Sequence, residues 1–130
     1  MNVAEEAFVI VCDDVRNEVG DKISLMGIYS RDVIVPKVPT ILQKLSFVLT
    51  LRGIKKKFKS VWVTIKCKGT KEPLLEQKLQ VDPGPANNLH LIAQFAPFRI
   101  DKTGVYRLEY KFSKKKTPDL VHEIEIKVPQ

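Results

Sequence analysis

The chain holds 130 residues, enough for one domain around one core and too few for two of ordinary size. With 44% hydrophobic and 28% charged residues it has the balance of a globular protein, which excludes a disordered chain, and its longest apolar run, Ala7 to Cys12, is far short of the ~20 residues a transmembrane helix needs. The formal charge of +7 is the one global anomaly, and it attracts acidic partners without saying which.

Near the start, Glu5 and Glu6 stand where a secretory leader would carry basic residues, so a cytoplasmic protein without membrane insertion is expected, with secretion of a processed chain left open. Phe8 to Cys12 reads as a buried strand and Ile23 to Tyr29 as another, linked through Asn17 to Asp21. Asp32 to Val35 is a candidate edge piece. Pro36 and Pro39 then mark an edge or a crossover, because proline donates nothing to a ladder.

From residue 40 onward period-2 alternation takes over. Leu45, Phe47, Leu49 and Leu51 alternate with Ser46, Val48, Thr50 and Arg52, and Val61, Val63, Ile65 and Cys67 alternate with Trp62, Thr64, Lys66 and Lys68. The short segment Gly53 to Lys59 reads these two strands as a hairpin. Further strands run over Leu75 to Val81 and Leu89 to Phe95, separated by the turn Asp82-Pro83-Gly84-Pro85-Ala86-Asn87-Asn88. Tyr106, Leu108, Tyr110 and Phe112 share one face of the next strand. His122, Ile124, Ile126 and Val128 share a face of the last, after Ser113 to Asp119. Turn signals at this spacing describe a single all-β domain over residues 1–130, an antiparallel sandwich or barrel of about seven to nine strands.

Cys12 and Cys67 could form one disulfide, but two thiols set in apolar strands of a cytosolic chain are expected to be free and buried. A zinc site needs about four ligands, and Cys12, Cys67, His90 and His122 show no paired x2 to x4 spacing, so no metal and no cofactor is implied. Asp13 and Asp14 with Asp21 or Asp32 fit no calcium loop and read as solvated strand ends. His122 falls on the inward parity, where a hydrogen-bonded structural histidine is expected, and His90 shares an outer face with Gln94. Two scattered histidines and no Gly-rich phosphate loop leave little from which to build a catalyst.

Asp101-Lys102-Thr103-Gly104-Val105-Tyr106-Arg107-Leu108 has the form of a tyrosine corner, in which a tyrosine near the start of a strand turns its hydroxyl onto upstream backbone. Residues 43 to 128 therefore resemble the immunoglobulin-like β-sandwich. In that family a disulfide cysteine sits two residues after the tyrosine, where this chain has Leu108, and Phe47 or Leu49 stands where its partner would be; the resemblance implies a sandwich without its bridge. The family's core tryptophan would match Trp62, but alternation turns Trp62 outward unless a bulge shifts the register. Cys12-Asp13-Asp14-Val15-Arg16, Lys22 through Ser30 and Ile34-Val35-Pro36 resemble a group of small stand-alone bacterial proteins known only as a domain of unknown function. That likeness implies a bacterial, intracellular setting and no activity or site residues.

If the six later strands alternate in direction, connections 53–59, 82–88 and 113–119 share one end of the sandwich. That end gathers Lys55, Lys56, Lys57 and Lys59 around Phe58 with Lys114, Lys115 and Lys116, a group of lysines equal to the whole formal excess of +7. Such a pole attracts phosphates, with Phe58 placed to stack on a base, or it only solubilises the loop tips. A second candidate is the outer face, where Trp62 with Lys66 and Arg107 suits a protein partner, unless Glu109, Glu123 and Glu125 pair with those charges or Trp62 is buried. The expected function is that of a non-enzymatic binding or interaction domain, through an unknown protein partner or self-association. Polyanion binding to a nucleic-acid backbone is the alternative, and an uncharacterised enzyme is third.

Overall fold

A computed structural model describes residues 3–82 and 87–130, and among these described residues it shows eleven strands and no helix. In chain order these are β1 (Ala4–Glu18), β2 (Lys22–Ile28), β3 (Val33–Ile34), β4 (Thr40–Leu42), β5 (Leu45–Ile54), β6 (Ser60–Cys67), β7 (Leu75–Gln80), β8 (Asn88–Phe95), β9 (Phe98–Ile100), β10 (Gly104–Lys111) and β11 (Leu120–Lys127). One sheet has the order β2-β1-β5-β8 and the other β3-β11-β10-β6-β7, with β4 and β9 forming a small ladder of their own. The count exceeds the expected seven to nine because β4 and β9 are three-residue pieces, too short for alternation to register, whereas β3 falls within the edge piece expected at Asp32 to Val35. Every pairing is antiparallel except that of β3 with β11.

The core lies between the two sheets and follows the inward parity of the alternating strands. Leu45, Phe47, Leu49 and Leu51 from β5 meet Val61, Val63 and Ile65 from β6 and Tyr106, Leu108 and Tyr110 from β10 in one buried cluster. The connection from β5 to β6 is a crossover between sheets and not the hairpin that sequence proximity suggested, since β5 pairs with β1 and β8 while β6 pairs with β10 and β7. Both strands have an apolar face, and placing them in opposite sheets lets those faces bury each other. Phe47 packs edge-on against Phe95 with centroids 5.9 Å apart, and Leu108 is fully buried. Cys12 and Cys67 are both free; Cys12 is buried, which pushes its thiol up, but Cys67 is only half-buried at the end of β6, against the expectation for both.

The N-terminal segment departs most from its sequence pattern. β1 runs on past Cys12 for six more residues, pairing with β5 up to Cys12 opposite Ser46 and with β2 from there on. At that junction the β1–β2 ladder skips Asp13 and Gly27, and Gly27 takes a φ of 68°, a left-handed conformation that costs glycine nothing. The bend folds the hairpin of residues 13–28 back over the outer face of β5 and β8. Ser46 Oγ donates to the Asp13 carbonyl at 3.1 Å, Gln94 Nε2 donates to Asp14 Oδ1 at 2.9 Å, and the Tyr29 hydroxyl closes the bend on Asp13 Oδ1 at 2.7 Å. As a result β5 is buried on both faces from Leu45 to Leu51, and Val48, outward by parity, is 1% exposed.

Candidate functional site

The connections β5–β6, β7–β8 and β10–β11 lie at one end of the sandwich. The Ile54 amide donates to the Asn87 carbonyl (2.9 Å), the Val81 amide to the Lys59 carbonyl (2.8 Å), and the Lys55 amide to the Val3 carbonyl (2.7 Å), which fastens the first two connections to each other and to the start of the chain. The centre of the turn, residues 83–86, lies outside the described residues. Phe58 from the first connection meets Phe112 at the start of the third, ring centroids 4.9 Å apart and edge-on, so the two lysine loops are joined by an aromatic pair.

That contact decides the role of Phe58. It is 7% exposed and part of the core, so it cannot stack on a base as its position among lysines suggested; an aromatic at the mouth of a sandwich gains more by covering the core than by facing water. The lysines do face water: Lys55, Lys56, Lys57, Lys59, Lys114, Lys115 and Lys116 are all exposed. Lys115 pairs with Asp119, whose other carboxylate oxygen accepts the Phe112 amide at 2.8 Å, so this acid is spent on fastening the third loop. None of the other six lysines forms an ion pair with a described residue. Between the loops lies a hollow of about 290 Å³ walled by Lys56, Lys57 and Lys115 over Phe58 and Phe112.

The outer face of β6 and β10 has the opposite character. Trp62 points outward as alternation requires and is half-buried, with Lys78 of the adjacent strand β7 over its ring, 5.4 Å from the centroid. Lys66 and Arg107 do not join it. They are cross-strand partners of each other, and both converge on Glu109, Lys66 at 3.3 Å and Arg107 at 3.6 Å, with Arg107 also 4.0 Å from Glu123. Glu109 is 8% exposed and so carries two cations in a partly desolvated setting. The grouping Trp62, Lys66 and Arg107 is thus split into a cation–π pair and an internal charge cluster.

The remaining polar residues are structural. Asp13 and Asp14 lie inside β1 at its bend and not at a solvated strand end; Asp14 accepts from Gln94, the Val15 amide and Lys44, and these bonds, that of Gln94 foremost, hold its carboxyl below the usual range. Tyr29 is pushed up to about 12, by burial first and then by its bond to Asp13. His122 is half-buried opposite Leu108, and burial lowers its pKa, but no described residue hydrogen-bonds it, contrary to expectation. His90 is exposed and its Nδ1 lies 2.9 Å from the Thr50 hydroxyl. Tyr106 donates its hydroxyl to the Lys102 carbonyl, four residues upstream, at 2.6 Å. Among the described residues no three His, Cys, Asp or Glu side chains group as metal ligands, and no helix is long and apolar enough to cross a membrane.

The chain belongs to the family of unknown function DUF6941, which matches it over residues 7–127. The hairpin of residues 13–28 lies within that match. No curated protein and no solved structure gives a match.

Proposed function

We propose that this protein is a non-enzymatic binding domain whose lysine pole takes a polyanion by its phosphate backbone. The observation that carries the reading is the convergence of two lysine loops on one end, with six lysines free of ion pairs to described residues. Lysine supplies point charge and no base readout, so the contact is sequence-independent and driven by counterion release. The Trp62 face supports a partner less well, since Lys66 and Arg107 are already held by Glu109 and Glu123. The scaffold is read as immunoglobulin-like, on two supports: the order β1-β5-β8 against β11-β10-β6-β7, and the Tyr106 hydroxyl turned back onto Lys102 near the start of β10.

Binding to heparin and to generic DNA and RNA duplexes across a salt series tests this, beside a variant with Lys55, Lys56, Lys57, Lys114, Lys115 and Lys116 changed to Ser. The expected Kd is on the order of 10⁻⁴ to 10⁻⁶ M at physiological salt, weakening linearly in log salt, and the variant loses it. Absence of duplex binding by the wild type, or binding that the variant keeps, overturns the reading.

A further inference from the structure

The fold-back of the N-terminal hairpin leaves a second feature that is independent of the lysine pole. Between the hairpin and the outer face of β5 and β8 lies a cleft of about 740 Å³, within the size range of small-ligand sites. We propose that this cleft binds a small organic monoanion, a carboxylate carried on an apolar body.

The charge arrangement of the two walls points to that class. On the sheet wall stand Arg52, which makes no ion pair with a described residue although Glu6 is its register partner on β1, and His90, its diagonal neighbour on the same face of β8. The Thr50 hydroxyl engages His90 Nδ1 and so fixes the ring, leaving Nε2 without a partner among the described residues. Asn88 is fixed likewise: its Oδ1 accepts the Gly53 amide at 3.3 Å, which leaves its two side-chain N–H groups to donate. In the tautomer in which the Thr50 hydroxyl donates to Nδ1 and Nε2 carries the proton, a guanidinium, an imidazole and an amide held by the sheet form a donor set suited to one carboxylate. The apolar part of the lining, Ile23 from the hairpin and Ile92 from the sheet, accepts a hydrocarbon body.

The hairpin wall sets the limit on ligand charge. Glu18 and Asp21 face the cleft beside Lys22, and Glu18 Oε1 is partly engaged by the Ser24 hydroxyl at 3.1 Å. With acids on one wall and the donor set on the other, a single negative charge on the sheet side is favoured and a polyanion is repelled, the reverse of the lysine pole.

The test is a chemical-shift titration of the isotope-labelled full chain with hexanoate, with acetate and hexylammonium as comparison probes. Hexanoate is expected to move the amides of residues 22–23, 50–52 and 88–92, to bind more tightly than acetate, which lacks the apolar body, and to outcompete hexylammonium. Arg52→Met is expected to weaken hexanoate about tenfold or more. Ile23→Glu, which leaves the donor set intact and charges the apolar wall, is expected to weaken it similarly. The six-lysine variant is expected to bind hexanoate unchanged, so loss of the pole and loss of the cleft are read separately. Shifts confined to the lysine loops, no shifts at all, equal affinity for acetate, or indifference to Arg52→Met in a variant that keeps the wild-type spectrum would each overturn the proposal.

Discussion

The two sheets begin with the same pattern, apolar residues inward and mixed residues outward, yet their outer faces end in different states. On β6 and β10 the outward residues other than Glu109 are only half-buried and engage one another, Lys66 and Arg107 pairing with the buried Glu109 while Lys78 of β7 lies over Trp62. On β5 the outward set Ser46, Val48 and Thr50 is buried under the hairpin of residues 13–28, and a cleft forms where that cover and the sheet do not meet. Parity assigns a side chain to a face, while burial depends on whether a further layer arrives to cover it.

That contrast can be broken most directly by the same substitution on both faces. Val48→Ser is expected to cost about 3 kcal/mol, from lost apolar burial and a hydroxyl placed in a dry site, whereas Val121→Ser, at a residue 37% exposed opposite Glu109, is expected to stay within about 0.5 kcal/mol. Urea unfolding midpoints of the two variants measure the difference, and equal costs would mean that the hairpin does not cover β5.

A smaller effect is expected at the bend itself. Gly27→Ala must hold a left-handed φ, and its Cβ runs into the Asp13 carboxylate, so a loss of about 1–2 kcal/mol is expected. The loss should come with increased exchange of the amides around Ser46 and Gln94. Loss of stability without that local exchange would place the cost elsewhere than in the fold-back.

The smallest effect is electrostatic and belongs to the other sheet. Burial lowers the pKa of His122, so between its ordinary value of 6.5 and the lower folded value the unfolded chain binds the proton first. Stability should therefore fall as pH drops through 6.5 and level off below the folded value. His122→Leu should flatten this part of the profile. Thermal midpoints of both proteins between pH 8 and 5 test it.

Much of the sandwich was legible because alternation is a local property. The inward residues of β5, β6 and β10 and Ile124 and Ile126 of β11 stand where period 2 places them, although Val128, expected on the same face, lies beyond β11 and is exposed; the gathering of the lysine loops at one end follows from strands alternating in direction. The outward Trp62 was equally readable, but its partner was not, since Lys78 reaches the ring only through the pairing of β6 with β7. Phe58 shows the limit most clearly. Surrounded by lysines in the chain it reads as a surface aromatic, and only Phe112, more than fifty residues on, supplies the contact that draws it into the core.

The sequence by itself determined that this chain is all-β, which faces of its strands are apolar and that the excess charge sits in two loops, because each of these rests on residue type and near-neighbour spacing. Tertiary structure alone decided that β5 and β6 lie in opposite sheets, that the N-terminal hairpin bends at Asp13 and Gly27 to cover β5, and that Arg52, Asn88 and His90 line one cleft. The physical reason is that these outcomes depend on which distant surface buries a given face, and that choice is made by packing between segments rather than by any local preference.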